Sequence, residues 1–196
     1  MLDNFLKYLE LGVNHIISLN SYDHLLFLII IAVPYLFKDW KRLLLLVTTF
    51  TIGHTITLIL GVYNIISINS NLVELLIPFT ILVMAIYNVF TAGKTAKQHN
   101  ATILFIGTLF FGLIHGLGFA NDFLAVIGRT ESKIVPLLEF ALGIEVGQLI
   151  VVFVILFFGF LGQTIFRFSR RDWVMVTSAI VIGVMLPLII HSKLWS

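Results

Sequence analysis

Apolar residues fill runs of membrane-spanning length along this chain, and polar residues gather in short segments between them. Runs at about 22 to 37, 43 to 64, 71 to 92, 101 to 120, 134 to 160 and 173 to 191 approach or exceed the roughly 20 apolar residues a helix needs to cross a bilayer. The connections read "KDWKR" at 38 to 42, "SINSN" at 67 to 71, "GKTAKQHN" at 93 to 100, "NDFLAVIGRTESK" at 121 to 133 and "RFSRRD" at 167 to 172. This pattern predicts an all-α, polytopic membrane bundle of about six transmembrane helices. The preceding segment "FLKYLELGVNHIISL", residues 5 to 19, has a helical period but is short and charged. It predicts a short N-terminal helix, interfacial or re-entrant on the outer face, with a seventh span as the rival.

Composition narrows the class. The chain has 196 residues, 59% hydrophobic and 11% charged, with a mean hydropathy of +1.07. Six or seven crossings use up that length, so residues 1 to 196 are expected to form a single integral membrane domain. The absence of cysteine excludes disulfides, thiolate metal sites and iron–sulfur clusters, which leaves His, Asp, Glu or backbone oxygen to hold any metal. A formal charge of +2 gives no sign of a nucleic-acid partner. Asp3, Lys7 and Glu10 interrupt the first apolar pattern and no small-x-small site follows, so no cleaved signal peptide is expected.

The cations set an expected orientation. Lys38, Lys41, Arg42, Lys94, Lys97, Arg167, Arg170 and Arg171 fall in alternate loops, against Lys7, Arg129, Lys133 and Lys193 in the others. Eight against four places the first group in the cytoplasm and both termini outside. His54 then lies near the middle of its helix. His115, Glu139 and Glu145 lie in outer halves, and Asp23, His24, Glu74 and Asp122 at outer helix ends.

Ionisable groups inside apolar runs cost several kcal/mol unless they are paired, and so are candidates for function. His15, Asp23, His24, His54, His115 and Glu145 form such a set on different helices at similar depth. Neutral imidazole is a good ligand for zinc, nickel, copper and iron, and a carboxylate can ligate or fix a ring tautomer. Thr51 and Thr57 stand three residues either side of His54, within reach of its ring or of a water. The simpler alternative makes each histidine a packing residue bonded to a neighbouring carbonyl, and makes Asp23 a helix-capping carboxylate after Asn20 and Ser21. Two GxxxG pairs, Gly112 with Gly116 and Gly143 with Gly147, predict close packing around His115 and Glu145. His99 and His191 read as surface residues, and the eighteen Phe as scattered apolar side chains with no cofactor role.

At "GVNHIISLNSYDHLLFL", "FTIGHTITL", "FGLIHGLGFA" and "LGIEVGQL" the sequence resembles the HupE/UreJ family of small bacterial membrane proteins. The resemblance spans residues 12 to 150 or so and implies that His15, Asp23, His24, His54, His115 and Glu145 are the family's motif residues. It implies a nickel or cobalt permease of a bacterial inner membrane. The chain is similar more faintly to larger nickel/cobalt transporters, whose signature is His, four residues, then Asp-His. Here seven residues separate His15 from Asp23, while "GHT" at 53 to 55 fits their second motif.

Three functions compete at this stage. One is a divalent-metal permease with an outward-facing His/carboxylate pocket and a nickel, cobalt or zinc ion as cargo. The second is an intramembrane zinc-dependent hydrolase acting on a lipid or lipid-linked substrate, with no catalytic residue assigned and no HExxH or GxSxG signature present. The third is a structural or assembly protein. A homo-oligomer is compatible with all three.

Overall fold

The computed structural model describes residues 2–18, 21–95, 98–127 and 133–193, apart from the side chains of residues 2 and 3. Lys97 and Arg129 of the charge pattern lie outside the described residues. Seven α-helices follow one another: α1 (Leu2–Ile17), α2 (Tyr22–Ala32), α3 (Trp40–Val62), α4 (Ser70–Thr91), α5 (Ala101–Ile127), α6 (Ile134–Thr164) and α7 (Arg170–Ile190), with no strand among the described residues. Five of them, α3 to α7, are long and apolar enough to cross a membrane unaided. The chain is an all-α, multi-pass membrane protein.

The first crossing differs from the run expected at 22 to 37. Helix α2 has 11 residues and stops at Ala32, two residues before Pro34, whose ring cannot continue a helix. At about 1.5 Å per residue that is roughly 16 Å, half of a bilayer core. Its other half is α1, which meets α2 at a bend of 71° across a short break. By length and composition the pair passes together as a sixth, broken span or as a re-entrant loop, so the expected N-terminal helix and the expected first span form one bent unit. A Cβ on Gly12 would fall 2.2 Å from the Phe140 carbonyl oxygen, and one on Gly143 would fall 2.1 Å from that of Leu9, so α1 and α6 touch backbone to backbone.

The C-terminal end of α2 leaves carbonyls without helical partners. Asn88 Nδ2 on α4 donates to the Ile30 oxygen at 2.7 Å, and Arg170 at the start of α7 donates to the Pro34 oxygen. Asn88 is thus a cap for the C-terminal end of α2. Ser169 caps α7 through the Asp172 amide, and Asn69 caps α4 through the Asn71 amide.

Both GxxxG pairs sit at close helix contacts, as their spacing predicts. Gly112 and Gly116 press α5 onto α3, where a Cβ on Gly116 would lie 2.1 Å from the His54 oxygen, while Gly143 and Gly147 press α6 onto α1.

Candidate functional site

The break between α1 and α2 puts two helix ends at membrane depth, where helix ends are tolerated when other protein groups cover them. His15 is in the last turn of α1; Asp23 and His24 are in the first turn of α2. His54 is fourteen residues into α3 and His115 fourteen into α5, about 21 Å along each helix. Asp23 and His24, at a helix end as expected, lie beside two mid-helix histidines.

These five side chains meet. Asp23 Oδ1 is 2.9 Å from His24 Nδ1, and Asp23 Oδ2 is 3.3 Å from His115 Nε2, so one carboxylate joins two rings. One ligand-type atom from each of these three residues lies within 4.8 Å of the other two. The His24 ring centroid is 4.3 Å from that of His115, 4.6 Å from that of His15 and 6.4 Å from that of His54. His15 and His54 are 5.9 Å apart.

Burial distinguishes this group from a set of packed histidines. His24, His54 and His115 are buried, His54 completely. Among the described residues, both His54 ring nitrogens, His24 Nε2, His15 Nε2 and His115 Nδ1 are buried without a hydrogen-bond partner. For His54, the carbonyl bond that the packing alternative needs is missing. A buried polar atom left unpaired costs about 1–3 kcal/mol, and both ring nitrogens of His54 are in that position. The neighbours of the histidines are aromatic: Phe111 lies 4.0 Å from His115, Phe119 4.1 Å from His15 and Phe50 5.7 Å from His54, centroid to centroid.

Those phenylalanines are the residues that the sequence reading passes over. Phe50 precedes His54 by four positions; Phe111 and Phe119 stand four either side of His115. Four-residue spacing puts side chains on one helix face, which is the signal that picks three out of eighteen.

Solvent reaches the group through Asp23, whose side chain is 28% exposed. One cavity of about 250 Å3 is lined by His15, Asp23, His24 and His115 together with Glu74 and Asp122. A second, of about 320 Å3, shares Asp23 and Glu74 and reaches His191 and Lys193. Lys193 Nζ lies 3.7 Å from Glu74 at this rim.

Glu145 does not join the histidines. Its Oε1 accepts from Thr48 Oγ1 at 2.6 Å and its Oε2 from Thr51 Oγ1 at 2.5 Å, one turn before His54 on α3. Thr51 and Thr57 do not serve the imidazole: Thr57 donates back to the Gly53 or His54 oxygen. His99, expected at the surface, is 6% exposed, set against the rings of Tyr35 and Tyr87. His191 is exposed as expected.

The chain belongs to the HupE/UreJ family: the family model described as "HupE / UreJ protein" matches residues 1–193. No curated protein and no solved structure matches the chain.

Proposed function

We propose, with HupE/UreJ membership as the premise, that this protein is a membrane permease for a divalent transition-metal ion of the nickel/cobalt type. Its cargo enters from outside and is taken up by His15, Asp23, His24, His54 and His115. One observation carries the reading: the Asp23 carboxylate spans His24 and His115 at the break of a membrane helix, beside ring nitrogens that have no partner. Neutral imidazoles with one carboxylate and no sulfur suit nickel, cobalt or zinc better than the oxygen-seeking magnesium or calcium. Glu145 stands outside this ligand set because Thr48 and Thr51 already engage its carboxylate. The setting is a bacterial inner membrane, and residues 1–196 act as one domain.

Uptake into liposomes tests the proposal. Purified protein, reconstituted at defined lipid ratio, should carry radioactive nickel or cobalt saturably, and Asp23→Asn and His54→Gln should each raise the half-saturating concentration about tenfold or more. Stoichiometric zinc that does not exchange, with no uptake of any ion, would sink the permease and favour the intramembrane hydrolase.

A further inference from the structure

His99 stands apart from the metal site. Glu74, near the start of α4, lines the histidine cavity, and α4 runs on from there to Thr91, about 26 Å away. His99 follows in the next connection and is 6% exposed. Its ring is 6.4 Å from that of Tyr35 and 6.0 Å from that of Tyr87, and its Nδ1 is buried without a hydrogen-bond partner among the described residues. Folded proteins leave few such atoms unpaired, so this nitrogen marks a place for a partner from outside the chain. With Tyr35, Arg42 and Ala101, His99 lines a cavity of about 170 Å3. That is several times the roughly 30 Å3 share of a water molecule, which leaves room for a tetrahedral anion.

The surroundings are cationic. Burial, and then Arg170, Lys94 and Arg42, hold the His99 imidazole below its ordinary value, so three positive side chains stand close to it. Lys94 and Arg170 form no ion pair among the described residues. Arg170 donates to the Pro34 oxygen, and its Nε is buried without a partner. The nearby carboxylates are engaged: Asp39, near Tyr35, accepts from the Leu36 amide at 3.2 Å, and Asp172 accepts from Ser169 Oγ at 2.6 Å. Arg42 is in the first turn of α3 and Ala101 opens α5, so the positive ends of two helix dipoles add to the field.

Geometry selects the source of the anion. Helices α3 and α5 run side by side in the same direction, with Gly112 against Phe50 and Gly116 against His54, so their first turns share one end of the bundle. Two further residues lining the cavity, Leu45 on α3 and Phe105 on α5, are 59% and 41% exposed, and each is about 6–8 Å from its helix start. The cavity thus joins a cationic wall to an apolar surface at the end of two spanning helices, where phospholipid headgroups meet their chains. A free phosphate would use the wall alone; a phospholipid uses both.

We propose that Arg42, Lys94, His99 and Arg170 hold the phosphate headgroup of an anionic phospholipid at the starts of α3 and α5, with its acyl chains over Leu45 and Phe105. The guanidinium groups pair with phosphate oxygens and Lys94 adds a point charge. His99 Nδ1 donates to a phosphate oxygen or accepts from a headgroup hydroxyl, according to its tautomer. The bound lipid ties α3 to the α4–α5 connection and to α7. This site is independent of the permease reading, since no metal ion takes part.

Titration of delipidated full-length protein, in an uncharged detergent, with short-chain phosphatidylglycerol tests the proposal through the melting temperature. Wild type should show a saturable rise of about 5 °C, and phosphatidylcholine little or none. In the double variant Arg42→Gln, Lys94→Gln the half-saturating concentration should rise about tenfold or more, whereas Lys7→Gln, a cation outside the cavity, should match wild type. Arg42→Lys with Lys94→Arg, which keeps both charges, should retain the response. Because the readout is the lipid-induced shift, a lower starting stability in the variants does not obscure it. No rise in wild type overturns the proposal, and so does an equal rise in wild type and the Gln double variant. An equal response to phosphatidylcholine would make the cavity an acyl-chain groove and overturn it as well. Inorganic phosphate that reproduces the rise at the same concentration and removes the lipid response overturns the lipid assignment in favour of a free anion.

Discussion

Asp23 Oδ2 lies 3.3 Å from His115 Nε2 and so ties the start of α2 to the middle of α5, 92 positions away in sequence. The same carboxylate holds His24 Nδ1 at 2.9 Å, which fixes both rings relative to each other. Asp23→Asn keeps the size of the side chain and removes its charge. Divalent-ion affinity should fall about 10- to 100-fold, the usual loss when a carboxylate that ligates or orients histidines is removed. Calorimetric titration with nickel measures it, and unchanged affinity would exclude Asp23 from the site.

His54 supplies two buried, unpartnered nitrogens, so its role is ligation or nothing polar at all. His54→Gln retains polarity and approximate volume but coordinates poorly, and should lose binding by about tenfold or more. The suitable control is His191→Gln, an exposed position, because His99 is buried and its replacement perturbs packing. Full metal content in a folded His54→Gln protein would return His54 to the packing alternative.

His99 predicts a pH effect unrelated to metal. Burial, and then the positive charges of Arg170 and Lys94, hold its imidazole below the ordinary value. The unfolded chain therefore binds a proton that the folded protein resists, so stability is full above about pH 6.5 and declines as pH falls through it. Thermal unfolding of wild type and His99→Gln in detergent over a pH series reads the difference. The variant should show a shallower acid decline, and parallel profiles would refute this assignment.

Gly116 separates close packing from simple helix propensity. A Cβ there meets the His54 oxygen at 2.1 Å and Thr57 Oγ1 at 2.3 Å, whereas a Cβ on Gly183 meets nothing within 4 Å. Gly116→Ala should destabilise by about 1–3 kcal/mol and weaken nickel binding by moving α3, while Gly183→Ala should be neutral or slightly stabilising. Melting temperatures of the pair, with nickel affinity, provide the check. Equal behaviour would contradict the α3–α5 contact.

Sidedness follows from the loops. Arg170 bonds Pro34, and Arg171 lies beside Gly93, so three of the cation-rich connections share one end of the bundle. Because the chain has no cysteine, Lys94→Cys, Arg171→Cys and Ser67→Cys can each be labelled alone. An impermeant thiol reagent applied outside should reach position 67 and neither of the others. Labelling at 94 and 171 from outside would invert the orientation.

The sequence by itself determined the class of molecule and the residues with chemistry to offer. Runs of about 20 apolar residues have few alternatives to crossing a bilayer, and ionisable groups within them are too costly to be incidental. His24, His54 and His115 were legible for that reason. Tertiary structure decided how these residues meet. Nothing local shows that Gly12 pairs with Gly143 while Gly116 pairs with His54, because a glycine pair marks a close approach and leaves the partner open. Those pairings rotate α3, place α1 against α6 and bring His15 to within 4.6 Å of His24 across the helix break. They also set Glu145 against Thr48 and Thr51 of α3. Depth follows from counting residues along a run, but the direction of a side chain is set by contacts between helices remote in sequence.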